Sequence, residues 1–272
     1  MQNNMLKKIK NIALYQWALI FFLGVLFIHL LLFFVLDVRG LFGYTDSLVR
    51  QDYLVPFFWY HFFADAQTVE IPQWIALSFC VLTCGFIAGK ESEKNRFKNS
   101  RFFILIGLGL SIMVLEDAGN FRHVISHYAS LFFDQHGLRN PVKTLTELSI
   151  YFILGILMVF PILSYLKGLS LNKKALSLLF GGYIAYFLAS AMSATRNIFT
   201  WYDKAGEFLI NNLPISAPVI WENTASSLEN HAGYFPLGYY FMDFLIEESL
   251  ELIGASLLLG FLLYYAHNLK TT

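Results

Sequence analysis

Charge is the first thing in short supply. Only 14% of the residues are charged, and the two signs cancel at nineteen each, so no basic surplus is present to hold nucleic-acid phosphates. Cysteine is scarcer still. Cys80 and Cys84 cannot build a disulfide framework or a zinc ribbon, and four residues apart on one helix they read as packing groups. No small-residue cleavage pattern follows the first apolar run, so that run is read as retained. There is no internal repeat.

Apolar surface fills the chain instead. The sequence is 57% hydrophobic and 18% aromatic, with a mean hydropathy of +0.55, which is the composition of an integral membrane protein. Six segments are long enough to cross a hydrocarbon layer about 30 Å thick: approximately Trp17–Leu36, Gln73–Gly89, Phe102–Gly119, Leu145–Leu166, Ala175–Thr195 and Met242–Tyr265. Lipid offers the backbone no partner, so each must be a helix. The expected fold is all-α, a polytopic membrane helical bundle of about six transmembrane helices forming a single domain over residues 1–272. Two caps with interfacial helices, about 37–72 and 196–238, lie on its outer face.

Basic residues set the orientation. Cytoplasmic termini put Lys7, Lys8, Lys10, Lys90, Lys94, Arg96, Lys98, Arg101, Lys167, Lys173, Lys174 and Lys270 inside, twelve of the nineteen. The expected location is the plasma (inner) membrane, with an acidic extracytoplasmic face. The inner stretch Lys90–Arg101 reads as a solvated connector, and substitutions at Glu91 and Glu93 are expected to be silent. His29, alone in the first helix, reads as a packed hydrogen-bonding group.

The third apolar segment runs into EDAGNFRHVISH, Glu116–His127. If the helix continues to about Phe133, Glu116, Asn120, His123 and His127 fall within about 60° and form one polar stripe. Other helices carry matching groups: Glu147 with Tyr151, Ser190 with Ser193 and Asn197, and Asp243, Glu247 and Glu251 on one face with Glu248 pointing elsewhere. Counting about 1.5 Å per residue from the inner ends puts Glu116, Tyr151, Ser190 and Glu251 in one layer. Asn120, Glu147, Ser193 and Glu247 lie a turn further out, and His123, Arg196 and Asp243 beyond them. A shared site in the outer third of the membrane is the expectation.

Four glutamates in such a site need protons, an arginine or a cation. His123, His127, Glu116, Glu147, Glu247 and Glu251 would supply the donors for a divalent metal, with zinc, iron and manganese indistinguishable. As catalytic groups, Glu116, Glu251 and His123 would handle protons or ligate, and Arg196, or else Arg122, would clamp an anion. The leading expectation is a membrane-embedded enzyme performing hydrolysis or group transfer, with or without metal assistance, on a lipid-linked or amphiphilic substrate from the membrane. The alternatives are a non-catalytic subunit that docks a membrane protein partner, and a cation or proton channel or transporter.

Glu116-x-x-x-Asn120-x-x-His123 is similar in type to motifs of the ceramidase and progestin-receptor-like membrane hydrolases. The Glu247-Glu248 pair resembles the double glutamate of membrane prenyl-protein proteases. The order of motifs differs in both cases, and no family follows.

Overall fold

The structure, a computed structural model, describes residues 13–43, 57–64, 66–133, 139–196, 200–215 and 236–269. The side chains of Phe42, His123 and residues 139–141 lie outside that description. Among the described residues there is no strand, and the fold is all-helical. The elements are α1 (Leu14–Val38), α2 (Phe58–Phe63), α3 (Glu70–Glu93), α4 (Phe97–Ala118), α5 (Phe121–Phe132), α6 (Arg139–Tyr165, with a tighter last turn Leu166–Gly168), α7 (Lys173–Thr195), α8 (Trp201–Asn211) and α9 (Leu237–Leu269).

Five of these are long and apolar enough to cross a membrane: α1, α3, α6 from Val142 to Gly168, α7 and α9. The sixth expected span is present as α4 but is not among the five. Lys98, Arg101, Glu116 and Asp117 lie within it. Its uncharged stretch, Phe102 to Leu115, covers only about 20 Å at 1.5 Å per residue.

The chain divides into two compact units. The first comprises Met1–Phe22, Gln73–Tyr186 and Ile253–Thr272, and the second Leu23–Pro72 and Phe187–Leu252. In the first, α4 lies against α6, and α5 packs on α6. Cys80 and Cys84 are both buried, Cys84 facing Gly107 of α4 and the Cys80 thiol facing the Ala255 carbonyl of α9. They are packing groups. At Gly182 an added Cβ would meet the Leu258 side chain and the Gly254 carbonyl, so the hydrogen there lets α7 and α9 touch.

In the second unit Asp37, near the end of α1, is buried and accepts the Phe58 and Trp59 backbone N–H groups at 3.0 and 2.8 Å. It thereby caps the short aromatic helix α2, which buries Trp59 and Phe63. The sequence places a short helix in this aromatic run, and Phe58–Phe63 is one. His29 has Nδ1 at 2.7 Å from the Val25 carbonyl and Nε2 at 3.0 Å from the Thr68 hydroxyl. A carbonyl only accepts, so Nδ1 carries a proton in this arrangement. In the same unit α8 crosses the start of α9 where Gly206 meets Gly238. A methyl on either glycine would strike backbone of the other helix.

Two expectations are corrected. The third helix does not continue to Phe133: it ends at Ala118, and Asn120, at φ 50°, turns the chain left-handed before α5 begins. Asn tolerates that conformation better than other side chains that carry a Cβ. Secondly, Lys90–Arg101 is mostly exposed but is not solvated throughout. Most of it is helical, and Glu91 is fully buried, accepting from the Tyr265 hydroxyl at 3.0 Å and the Asn99 amide at 2.9 Å. The reason is the short α3–α4 reversal, which folds this acidic residue back against α9.

Candidate functional site

Because the helix breaks at Asn120, the straight-helix angles that put Glu116, Asn120, His123 and His127 on one stripe do not hold across it. What α5 turns inward is a different set at spacing four: Arg122, Ser126 and Ser130 are buried. Phe121, Val124, Tyr128, Leu131 and Phe132 are exposed on the other side, a distribution that suits lipid outside and polar groups inside. His127 is exposed, its ring edge-on to Tyr128.

The inward face of α5 reads two glutamates. Arg122 Nε donates to Glu116 Oε1 at 2.6 Å, and its guanidinium lies over the Tyr151 ring, 4.6 Å from the centroid. One turn on, the Ser126 hydroxyl donates to Glu147 Oε1 at 3.1 Å. Asp117, beside Glu116, accepts from the Gln73 amide at 2.6 Å and the Trp74 indole at 3.1 Å. α3, α4, α5 and α6 therefore share one polar layer. Counting along the helices placed Glu116 and Tyr151 at one depth, and one arginine bridges them.

The second unit holds a comparable arrangement. Arg196 Nη1, just past α7, donates to Asp243 Oδ1 at 2.6 Å. One turn along α9, Glu247 is buried and accepts from the Tyr202 hydroxyl at 2.7 Å. Burial pushes the Tyr202 phenol well above its usual range. The Glu247 and Asp243 carboxylates add to this, and Arg196 opposes it. Asp243 and Glu247 sit in a widened, π-helical stretch, Phe241–Glu247, a distortion frequent at functional sites. Glu248, just past it, is also buried, while Glu251 is half-buried.

The candidates are thus divided: Glu116 and Glu147 belong to the first unit, and Arg196, Glu247 and Glu251 to the second. Among the described residues no three of His, Cys, Asp and Glu gather as a metal ion would require. Glu116 is turned to Arg122, Glu147 to Ser126 and Glu247 to Tyr202. The side chain of His123, one residue from Arg122, and all of Asn197 fall outside the described residues. Sequence reasoning missed Tyr202, Gln73 and Trp74. The available signal was an aromatic or amide group within the first turn of a helix leading toward the polar layer. No family model matches the chain, and neither the curated proteins nor the solved structures compared with it contain a match.

Proposed function

We propose that the protein is a multi-pass membrane enzyme acting by hydrolysis or group transfer on an anionic amphiphile, with Arg196 as anion clamp and Glu247 as the proton-transferring group. One observation carries this reading. A largely buried guanidinium paired with Asp243 stands one helical turn from a second carboxylate, Glu247, which accepts a hydrogen bond from the Tyr202 phenol. A phosphate or carboxylate headgroup can compete with Asp243 for the planar fork of Arg196. That would bring a reacting bond beside Glu247, the geometry acid–base catalysis needs. Glu251, a turn further along α9, is the second candidate for proton transfer.

The basic-residue asymmetry supports a plasma-membrane orientation with this site on the extracytoplasmic side. A sixth crossing, by α4, is supported inside the first unit. Asp117 bonds the start of α3, and Asn99 bonds Glu91 near its end, so α4 covers the same length as a helix that qualifies as a span.

The test is lipid extraction and mass spectrometry of membranes containing the wild-type protein, Glu247→Gln or Arg196→Lys at equal abundance. A lipid class that changes with the wild type and with neither variant is the expected result; identical profiles in all three would remove the enzyme reading.

A second reading is a non-catalytic subunit. It is favoured by the fact that Glu116, Asp117, Glu147, Asp243 and Glu247 each bond a group on a different helix or segment. Such cross-links fix helix register without chemistry. In that case Glu247→Gln lowers recovery of a membrane partner and leaves the lipids unchanged.

A further inference from the structure

At the opposite end of the first unit from its polar layer, four segments converge: the α3–α4 reversal, the α6–α7 turn, the start of α7 and the end of α9. Between them is a recess lined by Arg96, Asn99, Ser170, Asn172, Tyr264 and Asn268, among others. Its wall is well ordered by its own hydrogen bonds. The Asn172 amide donates to the Tyr264 hydroxyl at 2.6 Å, while its carbonyl oxygen accepts the Ala175 backbone N–H at 2.9 Å and so caps α7. Lys94 Nζ donates to the Leu269 carbonyl at 3.1 Å.

The charge balance favours an anion. Among the described residues, the carboxylate behind the wall is that of Glu91, which has both oxygens occupied by Tyr265 and Asn99 and is fully buried. Arg96 approaches it only to 3.8 Å, and its side chain is 48% exposed, so Arg96 offsets the Glu91 charge while keeping most of its donors for the recess. The surplus comes from Lys174. Its ammonium is held by the Tyr15 hydroxyl at 2.7 Å and lies 5.7 Å from the centroid of the Tyr264 ring that lines the recess. The Arg96 guanidinium lines the opening and the Lys174 ammonium stands behind its Tyr264 wall, so the described charges around the recess favour an anion.

We infer that this recess binds a phosphate-bearing anion, and that in a membrane the anion is the headgroup of an acidic phospholipid. The recess lies where spanning helices end, at the level of headgroups, and Arg96 offers the fork that grips phosphate oxygens in pairs. The site is independent of the polar layer and of the enzyme reading.

The full-length protein in detergent would be titrated with phosphatidylglycerol and with phosphatidylcholine and followed by intact-complex mass spectrometry. The expected result is a preference for phosphatidylglycerol of roughly tenfold. Arg96→Gln should abolish that preference and Arg96→Lys reduce it, while Lys90→Gln, which breaks only an exposed pair with Glu93, leaves it unchanged. Lys174→Gln gives a second reading that does not touch the α3–α4 reversal, and it should weaken the preference several-fold. Displacement of the lipid by millimolar inorganic phosphate would assign the recess to a free anion; retention of the lipid would assign it to the headgroup. Equal affinity for the two lipids, or a preference that survives both Arg96→Gln and Lys174→Gln, would overturn the proposal.

Discussion

At the scale of single residues, the two polar clusters are held by charge and hydroxyl pairs whose loss has a sign that can be worked out. Tyr202→Phe keeps the ring and removes the hydroxyl that donates to Glu247 Oε2, so a buried carboxyl group loses a hydrogen bond. A loss of about 1–3 kcal/mol is expected, read as a lower thermal midpoint in detergent. Glu116→Ala and Arg122→Ala should be strongly non-additive, because each single change strands the other's charge in a site only 10–14% exposed. A double-mutant cycle should return a coupling of about 1–3 kcal/mol, and additive effects would mean the 2.6 Å pair contributes nothing. Glu91→Ala carries the correction made by the fold: it leaves Tyr265 and Asn99 without their acceptor and should destabilise the protein, not pass unnoticed. Glu93→Ala removes only a surface pair and should be close to neutral.

At the scale of elements, the sequence was legible where periodicity and composition act alone. The apolar runs of α1, α3, α6, α7 and α9 announce themselves because a spanning helix needs many consecutive apolar residues and cannot hide them. The break at Asn120 was not legible, because Gly119-Asn120 is a signal of two residues inside a pattern whose apolar spacing continues in α5. Only the left-handed turn shows that α5 starts afresh. For the same reason Arg122 was visible as a residue but not as the bridge from Glu116 to Tyr151: angles counted along one straight helix assign it to the wrong face. Asn120→Gly should therefore be neutral or stabilising, while Asn120→Val should cost about 1–2 kcal/mol in thermal unfolding. The α8–α9 crossing was equally hidden, since Gly206 and Gly238 lie thirty-two residues apart and neither marks a motif. Gly206→Ala would drive a methyl into the Gly238 carbonyl. It should displace α8, and with it Tyr202 from Glu247, so loss of the Tyr202→Phe effect in a Gly206→Ala background would be the signature.

At the scale of the whole molecule, the parity of the crossings turns on α4. If α4 crosses the membrane as α3 does, the short reversal after Glu93 and the segment following α8 lie on opposite sides; if it does not, they lie on the same side. The apolar stretch from Phe102 to Leu115 is short for a hydrocarbon layer of about 30 Å. Both ends, however, have what a short span requires. Lys98 and Arg101 can reach toward one interface, and at the other end Glu116 and Asp117 are neutralised by Arg122 or hydrogen-bonded by Gln73 and Trp74, so their burial cost is offset within the protein. Glu93→Cys and Asn212→Cys, each introduced where the side chain is exposed in a background lacking Cys80 and Cys84, convert this into a labelling experiment. A membrane-impermeant maleimide applied to intact cells should react with Asn212→Cys, and with Glu93→Cys only after the cells are permeabilised. Both reacting together, or neither, would mean that α4 turns back within the membrane and that the bundle has an odd number of crossings. The termini would then lie on opposite sides, and the basic end of the first unit could no longer be assigned to the same face throughout.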